Sequence, residues 1–156
     1  MITDEQGNIL TGATPETAAL LDEALGAFNI YRGDPFALLA RAALAGPAFP
    51  MALLAKAWLF ALSSEPMASR EAATLLARAR ELPLNAREAS LAAALETLLA
   101  GSWTAAARAL GDHTMPHPHD LLALQAGHLL DFFCANARNL RDRIARALPH
   151  WSKSMP

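Results

Sequence analysis

The chain has 156 residues, enough for one domain with a buried core, and 53% of them are apolar while 18% are charged. That balance excludes an intrinsically disordered chain. A formal charge of −2 excludes any general attraction to nucleic acid or to an anionic membrane surface. The single cysteine, Cys134, cannot close an internal disulfide and suits a reducing compartment. The polar, acidic start lacks the apolar stretch of a signal peptide. The most apolar segment, 51–62, contains Lys56 and is 12 residues long, where a membrane span needs about 20. The expectation is a soluble, cytoplasmic protein with no membrane or nucleic-acid partner.

The first residues carry a turn signal, Gly7-Asn8, between Ile2 and Ile9-Leu10, which predicts a short extended arm (1–13) docked on the first helices. Thr14-Pro15 then sets a cap residue before a proline at the first helical position. The helix it opens carries Leu21, Leu25 and Phe28 at helical spacing, with Ala24 and Tyr31 beside them, and ends at Gly33. Asp34-Pro35 repeats that start, and the second helix stops at Gly46-Pro47. A third covers 50–62, with Leu53, Leu54, Ala57, Trp58 and Ala61. Ser63-Ser64-Glu65-Pro66 reads as a breaker, so the fourth helix falls at 69–82, with Ala72, Leu75, Leu76 and Ala79 on one face. Asn85 and Glu88 form a capping-box pattern for the fifth, which ends at Gly101. The remaining helices are expected at 102–110, 120–135 and 137–148. No segment beyond the arm alternates with the strand period, and valine is absent.

Helix-ending prolines at Pro47, Pro83, Pro116 and Pro149 lie 36, 33 and 33 residues apart, a mean of 34. That is the tetratricopeptide period of about 34 residues. The third unit fits best: Gly101 lies between its helices, Ala106 supplies the small residue where two backbones cross, Leu110 follows four later and Pro118 closes the unit. The large aromatic expected early in each first helix is missing from most units. The predicted fold is all-α, a right-handed α-solenoid of about four antiparallel, tetratricopeptide-like helix pairs over 14–149, followed by a tail at 150–156; the alternative is an ordinary irregular helical bundle.

Several segments are distinctive: Gly7-Asn8-Ile9-Leu10-Thr11-Gly12, Ala27-Phe28-Asn29-Ile30-Tyr31-Arg32-Gly33-Asp34-Pro35, Lys56-Ala57-Trp58-Leu59-Phe60-Ala61 and Leu82-Pro83-Leu84-Asn85-Ala86-Arg87-Glu88. So are Gly127-His128-Leu129-Leu130-Asp131-Phe132-Phe133 and Ala137-Arg138-Asn139-Leu140-Arg141-Asp142-Arg143. Together they resemble the tetratricopeptide repeat protein 38 family, in its bacterial branch. The resemblance covers essentially the whole chain. It implies an α-solenoid, and it implies that the chain is the N-terminal portion of a longer repeat protein. It brings no defined activity with it. The loop 113–119, rich in histidine and proline, departs from the family.

Few residues invite chemistry. His113, His117 and His119, beside Asp112 and Asp120, are the types that suit zinc. No two of the three have i, i+4 spacing within an established helix, so they read as an ordinary exposed loop and no metal is expected. His128 and Asp131, three apart in an apolar run, share a helix face. A carboxylate beside an imidazole supports acid–base work, but no nucleophile accompanies them, and hydrogen bonding to a neighbouring helix is the simpler reading. Arg138, Arg141, Arg143 and Arg146 give the last helix a basic side, read as solvated or as a contact for phosphate or a peptide carboxylate. Asn29, Tyr31 and Arg32 surround the first interhelix turn, and Asn29 and Tyr31 are placed to line a concave groove. Cys134 reads as inert packing, and no phosphate-binding loop or serine-elbow motif is present.

The leading expectation is a non-catalytic interaction scaffold without cofactor, holding a protein or peptide segment in its concave groove through Asn29, Tyr31, Arg32, His128, Asp131, Arg138 and Arg141. Self-association through the C-terminal end is also expected, because Phe132, Phe133 and Trp151 lack evident partners there. The alternative is part of an enzyme or small-molecule-binding protein, its site completed by further C-terminal repeats.

Overall fold

Proline sets the start of each of the first four helices in the computed structural model, which describes residues 1–152. Its fixed φ suits the first turn, and the amide it lacks would have had no helical acceptor there. Helix α1 spans Pro15–Asn29, α2 Pro35–Ala45, α3 Pro50–Leu62, α4 Pro66–Arg80, α5 Ala86–Leu99, α6 Trp103–His113, α7 Leu121–Phe133 and α8 Ala137–Ala147, with a 3₁₀ turn at Leu148–His150. The cap residues act as their chemistry predicts. Thr14 and Thr17 close a reciprocal pair at α1, and Asn85 and Glu88 do so at α5. Asp34 and Asp120 each accept from the amide three residues on.

Two helix boundaries and the docking of the arm differ from the sequence expectation. Helix α4 opens at Pro66, inside the segment read as a breaker, because proline starts a helix as readily as it stops one. Helix α6 runs on to His113, so that histidine is helical and not in a loop. The arm does form a narrow turn, with Thr3 bridging Ile9 in antiparallel sense and Gly7 at a φ of 85°. It docks more widely than on the first helices, however. The Glu5 amide donates to Asp22 on α1, Asn85 Nδ2 donates to the Ile9 carbonyl, the Thr11 amide donates to Glu88 on α5, and Asn8 Nδ2 donates to the His119 carbonyl.

Helix α3 is the axis of the molecule. Eleven of its 13 residues are buried, leaving Lys56 and Phe60 partly open, and Trp58 is fully enclosed. Such an all-round apolar helix needs neighbours on every side, and α3 packs against α1, α2, α4, α5 and α7. Consecutive helices pack on one another along the chain, and α1 also reaches α7, so the first and last helix pairs meet beside α3. Ala106 on α6 is fully buried, as its small size at a crossing requires. No helix among the described residues is long and apolar enough to cross a membrane.

Candidate functional site between α6, α7 and α8

Helix α8 buries only Arg143 and Ala147. A helix whose chief anchor is a cation must meet a prepared acceptor, since an unpaired buried charge costs several kcal/mol. Asp131 on α7 supplies it: Arg143 Nε donates to Asp131 Oδ2 at 2.8 Å, and Nη2 donates to the Ala107 carbonyl on α6, also at 2.8 Å. Both side chains are at most 2% exposed. Gly127 makes the room. A Cβ at Gly127 on α7 would sit 2.5 Å from Arg143 Cζ, and one at Gly111 on α6 would lie 3.8 Å from Nη1. One guanidinium therefore ties three helices together.

This corrects two sequence expectations. Asp131 pairs with Arg143, not with His128, so the neighbouring-helix bond is real but its partner is one read as solvated. His128 is half-buried, and its Nδ1 is buried without a hydrogen-bond partner. Of the basic side of α8, Arg138, Arg141 and Arg146 are exposed, and Arg141 pairs with Asp142 at 2.7 Å.

Beside this anchor lies a cavity of ≈ 470 Å³. Thr104, Ala107, Arg108, Gly111 and Asp112 line it from α6; Asp131 and Cys134 from the end of α7; Asn136, Asn139, Arg143 and Arg146 from α8. Cys134 Sγ is 3.9 Å from the Thr104 hydroxyl. On the other flank of α8, Leu121, Leu124, Ile144, Ala147, Leu148 and Trp151 line an apolar groove of ≈ 230 Å³. Ile144 and Leu148 in this groove are 42% and 64% exposed, and Phe132 and Phe133, at the other end of α7, are 63% and 50% exposed. Trp151 folds back over the groove, its Nε1 donating to the Pro118 carbonyl at 2.9 Å.

A second buried polar cluster joins α5, α6 and α7. Arg87 Nη1 donates to Asp120 Oδ2 at 2.6 Å, and His113 Nε2 lies 3.1 Å from the same oxygen. Burial alone would raise the Asp120 carboxyl, but the His113 bond, the Arg87 charge and the Ala123 amide together hold it at about 2. His113 and Asp120 are thus buried structural residues, contrary to the exposed loop read from sequence. His117 lies against the His113 ring at 5.0 Å between centroids, tilted by 43°, and burial, with His113 and Arg87 nearby, lowers its pKa. Among the described residues, no group of three or more His, Cys, Asp or Glu is arranged to hold a metal ion.

The remaining sequence candidates stand apart, at the turn between α1 and α2. Tyr31 is exposed with a φ of 54°, Arg32 is exposed, and the half-buried Asn29 keeps an unpartnered Oδ1. Sequence reasoning missed Arg143 and Arg87 as buried anchors. The signal for Arg143 was present in Gly127, a glycine inside an otherwise strong apolar helix, which marks a close approach. No known protein family matches the chain, and no solved structure matches it.

Proposed function

We propose that the protein is a non-catalytic, tetratricopeptide-type interaction scaffold, the N-terminal part of a longer cytoplasmic repeat protein of the family that its sequence resembles. The observation that carries the proposal is the apolar groove between α7 and α8, with the large apolar side chains of Ile144 and Leu148 exposed along it. Soluble proteins keep contiguous apolar patches small unless they are covered by a partner, and helix-in-groove recognition uses such a surface. The proposed occupant is a protein or peptide segment presenting an apolar helix face. The polar residues support a binding role over a catalytic one: Asp131 and Arg143 neutralise each other, and Asp120 is engaged by Arg87 and His113.

The test is selection from a displayed library of 16-residue peptides (on the order of four helical turns), followed by fluorescence titration. The reading expects an enriched apolar pattern at helical spacing, whose binding is lost in Leu148→Ser while thermal unfolding is unchanged. Failure to enrich any such pattern, or binding indifferent to Leu148→Ser, would overturn it.

A further inference from the structure

The ≈ 470 Å³ cavity lies on the opposite flank of α8 from the apolar groove, and it is lined by charge. Its volume falls in the range of small-molecule sites, about 300–1,000 Å³. Three arginines and two aspartates line it, leaving one positive charge in excess. Asp131 and Arg143 cancel in the floor, where Arg143 Nη1 and Asp131 Oδ1 are buried without hydrogen-bond partners. The cations left to act on a ligand line the cavity from different helices. Arg108 on α6 makes no hydrogen bond or ion pair among the described residues, and Arg146 on α8 uses only Nε, on its own helix's Asp142 carbonyl. Asn136, Asn139 and Thr104 add neutral polar groups to the walls.

From this we infer that the cavity binds a carboxylate, held between the guanidinium groups of Arg108 and Arg146. Charge selects a carboxylate over phosphate: a single excess positive charge matches a monoanion, whereas a phosphate group carries up to two negative charges beside Asp112 and Asp131. Geometry agrees, since guanidinium and carboxylate are both planar and pair through two parallel hydrogen bonds. The site is separate from the proposed peptide groove and does not depend on it. A free small carboxylic acid and an acidic side chain of a peptide share this chemistry, and the experiment separates them.

Uniformly ¹⁵N-labelled protein is titrated by NMR with butyrate, a monoanion, with an acetylated and amidated peptide rich in aspartate and glutamate, and with inorganic phosphate. The expected result is saturable movement of resonances from α6 and α8 with butyrate or with the peptide, the responding probe identifying the source. Arg108→Gln and Arg146→Gln, both exposed positions, should each weaken that binding at least about tenfold, the scale of losing one charge-assisted pair, while the remaining spectrum keeps its dispersion. Absence of saturation by either carboxylate, tighter binding of phosphate, or affinity unchanged in both variants would overturn the assignment.

Discussion

The Arg143 guanidinium occupies the space that a side chain at residue 127 would need: a Cβ there would meet Arg143 Cζ and Nη1 at 2.5 Å. Real Cβ atoms do not approach so closely, and the guanidinium cannot step aside without leaving Asp131 Oδ2 and the Ala107 carbonyl. Gly127→Ala should therefore destabilise the protein even though alanine favours helix. Overpacking alone costs about 1–3 kcal/mol, and displacement of a buried ion-pair partner adds to it. Urea unfolding checks this, and an unchanged or raised midpoint would mean that the helices have room to separate.

The same anchor predicts an asymmetry between single and double substitutions. Asp131→Asn leaves Arg143 as a buried cation without its counter-charge and should cost about 3–5 kcal/mol. Replacing both, as Asp131→Leu with Arg143→Met, removes the charge and its acceptor together. That variant should recover most of the loss, because an apolar pair of similar volume is often as stable as the ion pair. A double variant as unstable as the single one would show that the Ala107 carbonyl, not the ion pair, dominates.

Ala106 is fully buried on α6, whose neighbours are α5 and α7. Ala106→Phe should cost about 1–3 kcal/mol by overpacking that crossing. A denaturant midpoint equal to that of the unaltered protein would show that the helices are not in close contact there.

Acid strength at Asp22 gives a pH test. Burial raises its carboxyl, the Glu5 amide opposes this, and the Asp4 and Glu5 charges add to the rise, giving a folded value of about 6 against 3.8. The folded state therefore binds more protons than the unfolded state between these values, and stability should fall as pH climbs from about 4 to about 6. Asp22→Asn keeps the oxygen that accepts from Glu5 and removes the titration. It should be more stable than the parent above pH 6 and similar below pH 4. Thermal unfolding across pH 3.5–7.5 measures both arms (the window spans the two values), and parallel curves for the two proteins would rule out Asp22 as the source.

The helices were legible because their ends are written in local chemistry. Thr14-Pro15, Asp34-Pro35 and Asn85 with Glu88 fix starts through bonds to the next turn, which need nothing from the rest of the chain. Pro66 was misread because one residue type both stops and starts helices, and only the packing of α4 on α3 decides between them. The polar anchors were less legible for a different reason. Arg143 sits among three other arginines on α8, and Gly127 marks a close approach on α7 without telling which of the four meets Asp131, twelve residues away. Arg87 and Asp120 are 33 residues apart, and their meeting depends on where α5 and α7 come to rest. The contact between α1 and α7 is likewise tertiary, and the 34-residue spacing of prolines is silent about it.

The last prediction concerns the apolar side chains exposed on α7 and α8. Phe132 and Leu148 are 63% and 64% exposed, Phe133 and Ile144 somewhat less, and the groove between the helices is capped only in part by Trp151. Phe133 has an edge contact with Trp103 at 5.8 Å, and Phe132 touches Phe133 at the same distance, so the two rings shield each other incompletely. Fully burying a side chain of this size gains roughly 1.5–3 kcal/mol. Four of them, covered even by half, therefore supply several kcal/mol toward association, against a comparable cost in translational and rotational freedom. The balance predicts weak, concentration-dependent self-association through these side chains when no peptide occupies the groove. Sedimentation velocity over a hundredfold range (about 2.7 kcal/mol of mass action) should show the average mass rising with concentration, and Phe132→Ser with Leu148→Ser should abolish the rise without altering the unfolding temperature. A hydrophobic dye should bind the parent and not the double variant. A constant monomer mass at the highest concentration, with no dye bound, would mean that Trp151 and the ring contacts already shield these side chains.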